Sequence, residues 1–177
     1  MRTKNIKQII KEYFFVNPTN KLRLRQIERV LKLSFPSVVK YCKELKKEGI
    51  LKTIKTSDVI FYTADRSNKN FILEKKLNNI RQLYVSCLID YLKEKLHNPS
   101  IIVFGSYSKG EDIEGSDIDL YIETLSKKNI DLKTFEKKLN RKIQVFRFRN
   151  IKQIKNPHLA NNIVNGILLN GFVEIFK

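Results

Sequence analysis

One segment, residues 101–122, constrains this chain most, because it sets two apolar strands on either side of a glycine-rich loop. The first strand ends at Gly105 and Ser106, and ten residues later Asp117 and Asp119 open the second strand. The loop holds three of the six glycines of the chain, and glycine lets a backbone approach a ligand closely. Two aspartates two positions apart on a strand point to the same face, so together they predict a site for a divalent cation and phosphate.

This pattern, with Lys109 inside the loop and Ser116 before the first aspartate, resembles the signature of the DNA polymerase β-type nucleotidyltransferases, most closely their minimal prokaryotic members. The resemblance implies an α+β fold in which a mixed sheet carries the site. It implies transfer of a nucleoside monophosphate from an NTP, with ATP as the expected donor. The implied nucleotide-binding residues are Gly105, Ser106, Lys109 and Ser116, and the implied catalytic ligands of Mg²⁺ or Mn²⁺ are Asp117 and Asp119. The alternative interpretation is a hairpin with a polar turn whose carboxylates face water.

The chain departs from that family in lacking a third carboxylate. Active members carry it on a later strand, where it helps to activate the attacking hydroxyl. The corresponding strand here, residues 142–148, offers Gln144, and no acidic residue occurs within residues 141–172. Glutamine is neutral and cannot act as a base. Either the site binds nucleotide and transfers it poorly or not at all, or Glu123 or Glu136 replaces the missing acid.

The charge balance favours an anionic partner. The 177 residues include 35 basic and 18 acidic side chains, for a net charge of +17. Such an excess is typical of proteins that bind nucleic acid, although a lysine-rich proteome gives the same bias. The polar start and the lack of an apolar run of about 20 residues predict neither a signal peptide nor a membrane span, hence a cytoplasmic protein. Cys42 and Cys87 are expected to be reduced thiols.

Residues 1–65 predict three helices followed by a β-hairpin, an order that resembles the winged helix-turn-helix of prokaryotic regulators. In the third helix Val38, Cys42 and Leu45 recur on one face, and Gly49 ends it. The resemblance implies that this helix enters a major groove of duplex DNA while the wing contacts phosphates. The residues expected to contact DNA are Ser37, Lys40, Tyr41, Lys43, Lys47, Lys52 and Lys55. The alternative is a protein-interaction module with a basic face.

The remaining chain predicts a connecting helix over residues 66–97 and a nucleotidyltransferase domain over residues 98–177. The helix has an apolar face wide enough to support a homodimer. Residues 156–170 predict a further helix, and residues 172–176 a last strand. The string from residue 156 to 171 resembles the C-terminal element of archaeal predicted nucleotidyltransferases that carry an N-terminal winged helix, so the resemblance extends over nearly the whole chain.

Three functions are compatible with these features. The first is a Mg²⁺-dependent nucleotidyltransferase coupled to a DNA-binding domain. Its acceptor is either a nucleic acid or, as the resemblance to antitoxin-type members implies, a helical partner protein. The second is a DNA-binding regulator whose transferase domain senses nucleotide without turnover, which Gln144 favours. The third is an interaction module bound to a separate toxin-like chain.

Overall fold

A computed structural model of the chain describes residues 5–175, which divide into two compact units on either side of the Asn78–Asn79 bond. The first unit begins with three helices and a β-hairpin: α1 (Ile6–Val16), α2 (Leu24–Leu31), α3 (Phe35–Lys47), β1 (Leu51–Thr56) and β2 (Val59–Ala64). Helix α4 (Lys69–Val85) follows and crosses the boundary. The hairpin strands pair antiparallel through a two-residue turn, residues 57 and 58, in which Ser57 adopts a positive φ of 52°.

The core of the first unit consists of apolar side chains at helical spacing. Val38, Cys42 and Leu45 of α3 are fully buried, as their periodicity predicts, and they pack with Ile10 and Phe14 of α1. Gly49, with a φ of 73°, follows the end of α3, and a Cβ there would overlap the side chain of Asn68. The left-handed conformation of this glycine lets the chain turn from α3 into the hairpin.

The second unit is built on a four-stranded mixed sheet. Its elements are α5 (Leu88–Leu96), β3 (Ser100–Phe104), α6 (Gly105–Lys109), β4 (Ile118–Glu123), α7 (Lys133–Leu139), β5 (Ile143–Phe148), a 3₁₀ turn (Ile151–Gln153), α8 (Pro157–Val164) and β6 (Ile167–Asn170). The strand order is β5-β4-β3-β6, in which β4 and β5 run parallel and the other pairs run antiparallel. The predicted α+β class and the mixed sheet are therefore confirmed.

Alternation along the strands separates the two faces of this sheet. On β4, the side chains of Ile118, Leu120 and Ile122 are fully buried. Side chains of α5 belong to the same core, and partly buried side chains of α7 pack against it. Tyr121 points to the opposite face and packs with Ile163 of α8. Because successive residues alternate, Asp119 shares the face of Tyr121.

The helical segment predicted between residues 66 and 97 is divided in two. Cys87 adopts a left-handed conformation with a φ of 65°, and α5 starts after it. In an unbroken helix Leu83 and Leu88 would lie about 140° apart around the axis. The break turns α5 so that both leucines reach the same core, where each is fully buried.

The C-terminal segment also differs from the prediction. Helix α8 ends at Val164, and the strand begins at Ile167 and pairs with β3, whereas the sequence predicted helix as far as Asn170. Gly166 explains the change, because a Cβ there would overlap the Ile102 side chain and the Val103 carbonyl oxygen. Residues 172–175 form no strand, and the last residue of the strand predicted there lies outside the described part.

Among residues 5–175, no helix has both the length and the apolar composition that a membrane-spanning helix needs.

Candidate active site

The two halves of the glycine-rich motif meet at one edge of the sheet. Strand β3 runs antiparallel to β4, so its last residue, Phe104, pairs with Asp119. Gly105 follows with a φ of 72°, and a Cβ on it would overlap Asp119 Oδ2. Glycine is therefore required here both for the backbone conformation and for the space that the carboxylate occupies.

Gln144 lies beside this carboxylate. In the parallel register of β4 and β5, Asp119 pairs with Gln144, and paired residues of adjacent strands project to the same face. Gln144 is exposed at the edge of the sheet. The neutral amide thus stands next to Asp119, at the position where the resemblance noted in the sequence implies an acid.

The two acids considered as substitutes are engaged elsewhere. Glu123 pairs with Phe148 at the far end of β4, about 13 Å along the strand from Asp119. Its Oε2 accepts a hydrogen bond of 2.6 Å from the Tyr121 hydroxyl. Glu136 belongs to α7, on the opposite face of the sheet, and its Oε1 accepts a 3.0 Å hydrogen bond from the Ile143 N–H. Neither carboxylate therefore lies beside Asp119 in the position that Gln144 occupies.

The electrostatics of the site favour a bound cation. Partial burial raises the pKa of Asp119 above its ordinary value, and the charge of nearby Asp117 raises this pKa further. Asp117 itself is exposed and immediately precedes β4. A raised carboxyl pKa means that the ionised form is disfavoured in the folded protein, so neutralisation by a proton or a cation stabilises the site.

The other predicted nucleotide-binding residues lie around the same loop. Ser106 and Lys109 are at the start and end of the short helix α6, where Ser106 is half-buried and Lys109 exposed. The Ser116 hydroxyl oxygen accepts a 2.9 Å hydrogen bond from the Ile113 N–H, so it also closes a turn within the loop. The predicted nucleotide-binding residues therefore lie between the start of α6 and the residues that precede β4.

Sequence reasoning missed a buried polar cluster beneath this loop. The Asp112 and Arg141 side chains are only 1% and 3% exposed, and their Oδ2 and Nη2 atoms lie 3.5 Å apart. Asn79 donates to Asp112 Oδ1 at 2.7 Å and to the Tyr107 carbonyl oxygen at 2.9 Å. The cluster connects α4, α6, the loop and the segment between α7 and β5. Nothing in the sequence distinguishes Asp112 from the other acidic residues of the loop.

We expect the substitution Asp112→Ala to lower the free energy of unfolding by about 3–5 kcal/mol, because it removes the carboxylate that faces the Arg141 guanidinium in the interior. Urea denaturation measures the change. The control is Glu111→Ala at the neighbouring exposed position, which should alter the free energy by no more than about 0.5 kcal/mol. Equal effects of the two substitutions would contradict a structural role for the cluster.

For Gly105→Ala we expect a loss of about 1–2 kcal/mol of stability from the left-handed conformation alone, together with displacement of the Asp119 carboxylate. Nucleotide binding should weaken in parallel, as isothermal titration with MgATP would measure. Gly115→Ala is the matched control, since a Cβ at Gly115 meets no atom within 4 Å. Unchanged MgATP affinity in Gly105→Ala would show that the nucleotide does not depend on this contact.

The donor atoms fit a cation that is shared with a substrate. No group of three or more histidine, cysteine, aspartate or glutamate side chains is arranged to hold a metal ion anywhere between residues 5 and 175. Asp117 and Asp119 supply two carboxylates, and Gln144 supplies an amide oxygen beside Asp119. Mg²⁺ is commonly bound by one or two carboxylates together with substrate phosphates. The site therefore fits a divalent cation whose remaining ligands come from phosphate groups.

Comparison with known families finds a match to most of this unit. Residues 85–170 match the family model of the nucleotidyltransferase domain. The matched segment begins at the end of α4 and includes the sheet, the glycine-rich loop and Gln144. Domains of this family in general transfer a nucleoside monophosphate, and they generally use an NTP and a divalent metal. A search of curated proteins found no match to the chain.

The predicted DNA-contacting residues occupy α3 and the hairpin. Lys40, Lys43 and Lys47 are exposed on α3. Tyr41 is half-buried against the core, with the Lys40 ammonium 5.3 Å from its ring centre. The hydroxyl of Ser37 accepts a 2.8 Å hydrogen bond from that of Ser34. On the hairpin, Lys52 and Lys55 lie 3.5 Å and 3.3 Å from carboxylates of Asp65 and Asp58. The three α3 lysines are therefore the most available cations of this set.

Proposed function

We propose that the nucleotidyltransferase domain transfers a nucleoside monophosphate, with ATP as the donor, to an acceptor hydroxyl. The observation that carries this proposal is the contact between Gly105 and Asp119, which joins the two halves of the motif within a segment that matches the nucleotidyltransferase domain. Burial and the charge of Asp117 together raise the pKa of Asp119, and this supports the proposal further, because a cation would stabilise the ionised carboxylates.

In this proposal Asp117 and Asp119 hold Mg²⁺ or Mn²⁺, while Gly105 and Ser106 hold the triphosphate. Lys109 and Ser116 assist the binding of the nucleotide. The metal would neutralise the charge of the phosphates, which lowers the barrier to attack by an oxygen nucleophile. Asp119 is positioned for this by its pairing with Phe104 and by the space that Gly105 leaves.

The proposed transfer forms a bond between the acceptor oxygen and the α-phosphorus of ATP, while the bond from that phosphorus to pyrophosphate breaks. The acceptor hydroxyl loses its proton in the process. Gln144 cannot take this proton, because an amide is not a base at neutral pH. We therefore propose that the proton passes to water and that transfer is slow.

The test is incubation of the purified chain with Mg²⁺ and ATP labelled at the α-phosphate, alone and with candidate acceptors. Label should pass to the acceptor, and pyrophosphate should be released in equal amount. Both products should vanish in Asp117→Asn. Binding of MgATP without release of pyrophosphate under any condition would contradict the enzyme and favour a nucleotide sensor.

A second candidate function is a DNA-binding regulator in which the transferase domain binds nucleotide with little turnover. The neutral Gln144 beside Asp119 favours this candidate. So do the exposed lysines of α3 in a unit whose order of three helices and a hairpin resembles a winged helix-turn-helix. In this proposal α3 enters the major groove and the lysines contact phosphates.

The DNA proposal predicts that the combined substitution of Lys40, Lys43 and Lys47 by alanine weakens binding to any duplex. If each lysine contacts one phosphate, the slope of log affinity against log salt should fall by about 0.9 per lysine. Mobility shifts over a salt series measure it. The control removes three exposed lysines elsewhere, Lys127, Lys152 and Lys155. Equal losses of affinity in both variants, or no mobility shift by the wild type at low salt, would contradict the DNA proposal.

A further inference from the structure

Asn79, a buried residue of α4, makes two hydrogen bonds to the segment that carries the proposed nucleotide-binding residues. Its amide nitrogen donates to the Tyr107 carbonyl oxygen at 2.9 Å and to Asp112 Oδ1 at 2.7 Å. A carbonyl and an ionised carboxylate have no hydrogen to donate, so an atom that joins them must supply two hydrogens itself. An amide nitrogen has two, whereas a carboxyl or hydroxyl group has at most one. Asparagine is therefore well suited to this position.

The same two helices are joined by a third hydrogen bond in the opposite direction. The Tyr107 hydroxyl donates to the backbone carbonyl oxygen of Asn79 at 3.4 Å. Both residues are buried, and a hydrogen bond is stronger in such surroundings than in water. Helix α6 can therefore move relative to α4 only if these bonds break.

The two acceptors of the Asn79 amide lie on either side of Lys109 in the chain. Tyr107 directly follows Ser106 within α6, and Asp112 lies in the loop beyond the end of that helix. A displacement of this segment would move Ser106 and Lys109 with it. Asn79 therefore fixes the placement of two proposed nucleotide-binding residues without being one of them.

The glycines of the loop make such an anchor important for binding. The loop contains Gly105, Gly110 and Gly115, and glycine has more conformational freedom to lose than any other residue. A loop that moves freely loses this freedom when it closes on a ligand, which weakens binding. Holding the loop in place beforehand removes part of the loss. The buried bonds of Asn79 should therefore tighten the binding of a nucleotide.

The same bonds also connect the loop to α4 in the other direction. Local opening of α4 around Asn79 would break them and release the loop. A ligand that binds only to the ordered loop disfavours this opening, by an amount that grows with its concentration relative to Kd. Binding at the loop should therefore slow the hydrogen exchange of backbone amides in α4.

We propose that Asn79 is a positioning residue of the nucleotide site, which holds the loop in the conformation that binds MgATP and through which bound MgATP stabilises α4. The proposal rests on the proposed function and extends it to a residue that precedes the segment matching the family model. It also assigns to α4 a response to the occupancy of the site.

The experiment compares the full-length wild type with Asn79→Leu, which has a side chain of similar size and no donor. Asn79→Ser, a milder change that leaves one donor, is the second variant. The matched control is Asp112→Asn. It keeps an oxygen that accepts from Asn79 but removes the charge that faces the Arg141 guanidinium 3.5 Å away, so it should lower stability without releasing the loop.

Three quantities are measured for each protein. Isothermal titration gives the affinity for MgATP, and urea denaturation gives the free energy of unfolding. Mass spectrometry gives the hydrogen exchange of residues 79–85, without nucleotide and with MgATP at about 10 times the Kd of that protein, so that occupancy is equal in all of them.

We expect Asn79→Leu to bind MgATP at least about 10-fold more weakly than the wild type, since it loses a buried hydrogen bond to a charged group. In the wild type MgATP should slow the exchange of residues 79–85 by up to about 10-fold, and in Asn79→Leu it should not slow it. Asn79→Ser should change both quantities in the same direction by less. Asp112→Asn should match the wild type in both, although it is less stable in urea.

Two results would overturn the proposal while leaving the proposed function intact. One is wild-type affinity and protection of α4 in both Asn79 variants. The other is an equal loss of MgATP affinity in Asp112→Asn and Asn79→Leu, which would show that affinity only follows stability. Binding of MgATP by the wild type without any slower exchange in α4 would overturn the stabilisation of that helix. Failure of the wild type to bind MgATP would contradict the proposed function and this proposal with it.

Discussion

Replacing Asp119 with asparagine is expected to lower nucleoside monophosphate transfer at least about 100-fold while the protein remains folded. The substitution keeps the shape of the side chain against Gly105 but removes the charge that would hold the metal at the phosphates. Losing one element of charge stabilisation in a transition state commonly costs 100- to 1,000-fold in rate. Release of pyrophosphate from labelled ATP measures the effect.

The same variant should be more stable than the wild type when no metal is present. Burial and the charge of Asp117 raise the pKa of Asp119, so its ionisation opposes folding. The wild type therefore loses stability as the pH rises from the ordinary carboxyl value through the raised one, and the neutral asparagine does not. Thermal unfolding at pH 4 and pH 7 without metal measures the difference.

Asp131→Asn provides the control for these measurements. Asp131 is exposed, and its carboxylate accepts a 3.0 Å hydrogen bond from the Lys133 N–H, a role that asparagine also performs. This variant should keep wild-type transfer and the wild-type change of stability with pH. Full transfer activity in Asp119→Asn would show that the proposed transfer does not use this carboxylate.

The substitution Gln144→Asp is expected to accelerate transfer by about 100-fold. The register pairs position 144 with Asp119, so an aspartate there would add a base and a metal ligand beside the existing pair. A positioned general base contributes about 100- to 10,000-fold to a rate. Without metal the variant should be less stable, because a third carboxylate adds repulsion at the edge of the sheet.

Gln144→Ala tests whether the gain comes from the added acid or only from the loss of the amide. It removes the amide without adding an acid, and it should not gain activity. MgATP affinity must be measured alongside the rate. A Gln144→Asp variant that binds MgATP at least as tightly as the wild type and still shows no acceleration would indicate that the nucleotidyltransferase domain acts as a sensor.

The parts of the fold that the sequence predicts correctly are those set by local pattern. Val38, Cys42 and Leu45 recur at helical spacing and are buried, and the glycine-rich loop does join two neighbouring strands. The strand that carries Gln144 was also predictable, because apolar residues flank it. These features depend on residues that are close in the chain.

The features that the sequence did not predict depend on residues far apart. The break at Cys87 follows from the need of Leu83 and Leu88 to reach one core, which no local pattern reveals. The strand from Ile167 forms because Gly166 lies against β3. Asp112 and Arg141 are 29 positions apart, and only the folded structure brings them together.

The central claim is that Asp119 and its neighbours bind an NTP together with a divalent cation, and isothermal titration of ATP into the full chain tests it most directly. With Mg²⁺ present, one ATP should bind per chain to the wild type, and binding should weaken at least about 10-fold without metal or in Asp119→Asn. No binding by the wild type, or equal affinity in all three titrations, would contradict the claim.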